Sequence, residues 1–172
     1  SAFTLGSIGS EGRSFLPDLA QADRNSLGSA FLGGVVFNAA NILLAAAIAI
    51  SGLSVAFPVG IGLALVLGVL VNYFGEAKGQ PLFILLGVVL IVVAIVLNGM
   101  AYRKMLKGTQ KVPAKGIGIS IAAGIIMAFF YRFVAASMDL TDFAHPAAGK
   151  LTPYTAVFVF ALGVFASNFI FN

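Results

Sequence analysis

The stretch NSLGSAFLGGVVFNAANILLAAAIAISGLSVAFPVGIGLALVLGVLVNYFGEAKGQPLFILLGVVLIVVAIVLNGMAY, residues 25–102, carries two formal charges, Glu76 and Lys78. On either side of that interruption it is apolar for lengths that only a lipid bilayer rewards. Crossing the hydrocarbon takes about 20 apolar residues in a helix, because each residue rises about 1.5 Å against a core of about 30 Å. Three spans fit the stretch, at residues 27–50, 53–74 and 81–102, and two more follow at 116–136 and 151–171. Runs such as ILLGVVLIVVAIVL, residues 84–97, do not alternate in polarity, which excludes the strands of a membrane β-barrel. The expected fold is all-α: a polytopic transmembrane helix bundle of five spans.

Composition agrees. Charged residues make up 9% of the chain and apolar ones 60%, with a mean hydropathy of +1.04. A soluble domain carries about a quarter of its residues charged, and one with this composition would expose an aggregating apolar surface.

The basic residues give an orientation. Residues 103–115 hold Arg103, Lys104, Lys107, Lys111 and Lys115 with no acid. Because Lys and Arg beside a span are retained on the cytoplasmic side, this loop is expected in the cytoplasm and the segment before the first span outside. Topology accounts for the basic run without nucleic acid as a partner. Residues 1–25 are expected to hold the end of a preceding span, in 1–8, and an extracytoplasmic loop. The first residue is Ser, and Asn172 follows the last span directly, which fits a piece of a longer protein.

Chemistry of the enzymatic kind finds little footing. Without Cys there is no thiolate nucleophile or thiolate metal site. The lone His145 sits in the turn-like FAHP, residues 143–146, with no orienting partner or nucleophile indicated. Phosphate-loop, nucleophile-elbow and zinc-helix motifs are all missing, and the acids Glu11, Asp18, Asp23, Glu76, Asp139 and Asp142 lie in flanks and loops. No enzyme, cofactor or metal is expected.

Inside the spans, small residues recur at helical spacing. Gly60, Ala64 and Gly68 form one row, and Gly116, Ser120, Gly124 and Ala128 another. In lipid, where no hydrophobic force joins helices, such rows are packing faces. Isolated polar groups are the functional candidates. Asn38 and Asn41 share a face with Gly34, Ala45 and Ala49; an amide in hydrocarbon requires partners, so this face is expected to look inward at protein or water. Pro58, followed by Gly60 and Gly62, removes a helix donor and frees a carbonyl, either as a packing kink or first-turn proline, or as a break exposing backbone to a cavity. Asn72 and Tyr73 end the second span, Asn98 and Asn168 stand near the ends of the third and fifth, and Arg132 sits about a turn inside the fourth, placed to snorkel or to meet an anion. The substrate-binding candidates are thus Asn38, Asn41, Pro58, Asn72, Tyr73, Arg132 and Asn168. Phe37 and Phe57 are candidates for stacking on a flat solute.

Several of these landmarks, GGVVFNAAN (33–41), GLSV (52–55), VNYF (71–74) and LTPYTA (151–156) with Gly163 and SNF (167–169), resemble in order and spacing the plant ureide permeases and related bacterial glucose/ribose porters of the drug/metabolite transporter superfamily. That resemblance implies ten spans in two inverted halves, with the five seen here as spans three to seven and the basic loop as their junction. The short loop without a nucleotide-binding-like motif is closer to a bacterial porter, which implies the inner membrane. Asn41 and Asn72 match the family pattern best, and Asn38 falls where relatives need not have Asn. The implied activity is secondary transport of a small polar solute, a sugar, ureide or nucleobase, by alternating access. A passive channel, or a membrane subunit that does not transport, remains an alternative. The implied partners are the lipid bilayer, the small-molecule solute, and the rest of the polypeptide or a second copy. A coupling ion would have to use backbone and Asn oxygens or lie in spans outside this sequence.

Overall fold

The computed structural model describes residues 12–75, 80–105 and 113–171. Among these residues it has six helices and no strand: α1 (Phe15–Gln21), α2 (Arg24–Ser51), α3 (Leu53–Gly75), α4 (Pro81–Met105), α5 (Ala114–Ser137) and α6 (Pro153–Phe171). Helices α2 to α6 are each long and apolar enough to cross a membrane. Residues 1–8, Glu76, Lys78, Lys107 and Lys111, on which part of the expected topology rests, lie outside the described residues.

Local chemistry explains where the helices start and stop. Gly52 alone separates α2 from α3. Its N–H donates to the Ile48 carbonyl at 2.8 Å, and its carbonyl accepts from Val55 and Ala56 at 3.3 and 3.0 Å, so one residue ends one helix and begins the next. Its φ of +82° is a conformation that a side chain would strain. Both α4 and α6 begin with a proline, whose missing N–H would have no helical acceptor at that position anyway. Thr152 opens α6, its carbonyl accepting from Ala156 at 2.9 Å.

The chain divides into two compact units, with the boundaries inside α2 and α5. The first comprises residues 12–38 and 130–171. Its core is Ala30, Leu151, Ala156 and Val159, covered by Leu19, Ala22, Leu27, Met138 and Phe158. Here α2 and α6 meet backbone to backbone. A Cβ on Gly34 would overlap the Phe160 carbonyl oxygen and come within 2.8 Å of the Val164 nitrogen, and one on Gly163 would overlap the Phe31 carbonyl oxygen. On the other side, the Ser29 hydroxyl donates to the Phe133 carbonyl at 2.7 Å, tying α2 to the end of α5.

The second unit comprises the described residues within 39–129. The two small-residue rows meet there. A Cβ on Gly124 of α5 would stand 2.5 Å from the Gly60 carbonyl oxygen of α3, one on Gly60 would stand 2.7 Å from Leu44, and one on Gly116 would stand 2.6 Å from Ser51. Further along, a Cβ on Gly68 would make only an ordinary contact, 3.8 Å, with the Ala128 carbonyl oxygen. At Gly124 only glycine permits so close an approach to the backbone of α3, and the dispersion gained by two backbones in contact replaces the hydrophobic force that lipid does not supply. Helix α4 packs on α3, placing Ile95 against Gly62, and its remaining apolar side chains are mostly exposed, as on a lipid-facing helix.

One expectation needs correction. Ala45 and Ala49 do not join an inward face with Asn38 and Asn41; both are exposed, and the buried row in this part of α2 is Ala40, Leu44, Ala47 and Ser51. The helix is apolar all round, so periodicity could not say which side would be covered.

Candidate functional site

Each unit holds part of the candidate set. In the first, Asn38 is buried and committed. Its amide nitrogen donates to the Ser167 hydroxyl at 3.0 Å and to the Val164 carbonyl at 3.3 Å, both on α6. Gly34, one turn earlier, lets α6 come close enough for these bonds. The Ser167 hydroxyl in turn donates to the Val164 carbonyl at 3.0 Å. Beside Asn38 the rings of Phe37, Phe130 and Phe160 form a cluster, with centroids 5.0 to 5.9 Å apart. Phe37 is therefore engaged with protein aromatics. Arg132 and Asn168 are exposed on α5 and α6, and each makes polar or ring contacts of its own.

The second unit contains Asn41, Pro58, Asn72 and Tyr73. Asn41 is half-buried on α2 and has a bonding partner. Pro58 lies inside α3, past its first turn, so the first-turn alternative does not hold. Proline has no N–H for the carbonyl four residues back, that of Ser54. Asn72 is half-buried, and its amide nitrogen donates to the Gly68 carbonyl of its own helix at 2.7 Å. That geometry leaves the amide oxygen as an acceptor beside Tyr73, whose ring meets Phe74 edge-on at 6.2 Å. Phe57 is exposed. These groups can hydrogen-bond an uncharged solute. Among the described residues no group of three His, Asp or Glu is placed to hold a metal.

The most extensive polar cluster in the first unit was not anticipated from sequence. Asp18 of α1 is fully buried. Its carboxylate accepts from Arg13 at 2.9 Å, from Gln21 at 3.3 Å, and from both the backbone N–H and the hydroxyl of Thr152, at 2.8 and 2.9 Å. The Thr152 and Thr155 hydroxyls are 3.1 Å apart. A carboxylate here sits at the start of α6, where unpaired N–H groups and the helix dipole favour negative charge. The local signal was the spacing of Phe15, Asp18, Leu19 and Ala22, a short helical face followed by the Thr-x-x-Thr that opens α6. Thr152, 134 residues from Asp18, carries no local trace of the pairing.

Between α5 and α6 the chain is organised by Asp139. Its carboxylate accepts from the Thr141 hydroxyl at 2.5 Å, from the Thr141 N–H at 2.9 Å and from Ala147 at 3.2 Å, with the Asp142 N–H at 3.4 Å. These bonds, led by the Thr141 hydroxyl, hold it ionised well below the usual carboxylate range. His145 is exposed, its Nδ1 3.8 Å from the Asp142 carboxylate.

No curated protein and no solved structure matched the chain. The sequence model described as ureide permease matches residues 1–105, a run that includes α1 through α4 and, with them, Asn38, Asn41, Pro58, Asn72 and Tyr73. Arg132, Asn168 and the LTPYTA run lie beyond it. With five helices able to cross a membrane, neutral amides within them, and a family match over more than half its length, the chain belongs to the ureide permease family.

Proposed function

We propose that this protein is part of a secondary transporter that moves a small, uncharged polar solute, such as a ureide, nucleobase or sugar, by alternating access. The observation that carries the reading is the family match across α2 to α4, the helices that supply Asn41, Pro58 and Asn72. An amide oxygen and a carbonyl released by proline offer acceptors to solute N–H or O–H groups, and neutral donors and acceptors suit a solute without charge. In this reading the protein is a ten-span drug/metabolite transporter with two inverted halves, in a bacterial inner membrane. The five spans are then its third to seventh, and the basic loop 103–115 is cytoplasmic.

The test is uptake by the complete gene product in proteoliposomes, using radiolabelled allantoin, uracil and glucose as probes. Accumulation of one of them above its outside concentration under an imposed proton or sodium gradient supports the proposal. Uptake that never passes equilibrium under either gradient refutes active transport and leaves a facilitator; no uptake of any probe counts against transport of this solute class.

A further inference from the structure

Helix α1 has seven residues, too few to be stable alone in water, so it is held by what it touches. Two kinds of contact hold it. Phe15 is buried and meets Phe158 of α6 edge-on at 5.0 Å, with Leu19 beside it on the core. Everything else is polar and converges on the start of α6. Asp18 takes the Thr152 N–H and hydroxyl, Arg13 bonds Asp18 and the Lys150 carbonyl at 2.8 Å, and Gln21 both donates to the Lys150 carbonyl at 2.9 Å and accepts from the Gly149 N–H at 2.7 Å. Among the described residues no buried polar side-chain atom is left unsatisfied.

Such a cluster is a poor adhesive. Replacing a buried ion pair with apolar side chains of similar volume is often neutral or stabilising, whereas removing one partner alone is costly. What the cluster provides is a single closed geometry, made of bonds that water can replace when the helix lifts. We infer that α1 is a releasable latch over the start of α6, fastened by Asp18 to Thr152, and that it opens and closes during the transport cycle. Closure stands on the geometry alone; its opening in the cycle rests on the transport reading above. Lifting α1 hydrates Asp18, Arg13 and the two threonine hydroxyls together and takes Leu19 off the core that Ala156 shares with Ala30, Leu151 and Val159, which should open a path to Ala156.

Residues 1–172 have no Cys, so once any cysteine elsewhere in the full-length protein is replaced by Ser, one introduced thiol is unique. Ala156→Cys places it at a position with no exposure. In nanodiscs carrying the full-length protein, a charged maleimide should label this thiol slowly. Adding Asp18→Asn should raise the rate about tenfold or more, equivalent to about 1.4 kcal/mol in the opening equilibrium. Thr152→Val, which keeps the N–H bond and loses only the hydroxyl, should give a smaller rise and serves as the milder variant should Asp18→Asn fail to fold. Folded variants that label no faster than their parent overturn the latch, as does rapid labelling of the parent itself. A second arm joins Gln21→Cys to Lys150→Cys with a short bifunctional thiol reagent in proteoliposomes. Probe uptake should stop and return on reduction; uptake unchanged by the cross-link overturns release in the cycle. Absence of uptake before cross-linking overturns the transport reading instead, because the labelling arm reads closure without it.

Discussion

Replacing Asn38 with Leu separates a structural amide from a solute-binding one. Two bonds are lost, from the amide nitrogen to Val164 and to Ser167. Interhelical hydrogen bonds within bilayers are worth about 0.6 kcal/mol on average and about 1.7 at most. Leu branches at the same atom as Asn but is bulkier, so no cavity is left and the extra bulk adds to the loss, and Ser167 keeps its bond to the Val164 carbonyl, so no hydroxyl is orphaned. The expected loss is therefore about 1 kcal/mol. Equilibrium unfolding in mixed micelles of rising dodecyl sulfate content, followed by circular dichroism, measures it, and probe uptake per folded molecule should stay within about twofold, a change under 0.5 kcal/mol. Unchanged stability with uptake reduced a hundredfold would refute the reasoning and make Asn38 a solute ligand.

Gly34→Ala and Gly163→Ala should each destabilise more than Asn38→Leu, by about 1–3 kcal/mol in the same unfolding assay, because the added methyl meets backbone that cannot rotate away. Pro58→Ala should stabilise α3 by restoring a donor to the Ser54 carbonyl, and should slow uptake if that carbonyl or its kink serves transport; a variant both more stable and equally fast makes Pro58 a packing feature. Asp139 has a folded-state pKa below its unfolded one, so its stabilising effect is full above the ordinary carboxylate range and is lost as pH falls through and below that range. Thermal unfolding from about pH 7 to about pH 3 should accordingly show less acid sensitivity in Asp139→Asn than in the parent, with the variant weaker at neutral pH.

Hydropathy alone located the five membrane helices, since nothing else sustains runs of that length without charge. The packing rows were legible too: Gly60 and Gly124 announced a contact because only small side chains bring backbones so close. Which face of α2 is covered was not legible. Ala45 and Ala47 are chemically alike, and only the position of neighbouring helices leaves one exposed and buries the other. Asn38 and Asn41 share a helix face by spacing yet fall in different units, a distinction no local pattern encodes. Asp18 was hidden for the opposite reason. In sequence it is an ordinary charge in a polar flank, and its burial depends on Thr152 and Arg13 converging on it.

The single residue between α2 and α3 bears on how the protein is made. With only Gly52 joining them, the 28-residue and 23-residue helices have no polar segment that could be carried across the bilayer apart from either one. In the topology proposed above, with loop 103–115 cytoplasmic, the turn of Ser51, Gly52 and Ser54 faces the cytoplasm, and α3 must turn back into the bilayer as soon as α2 leaves it.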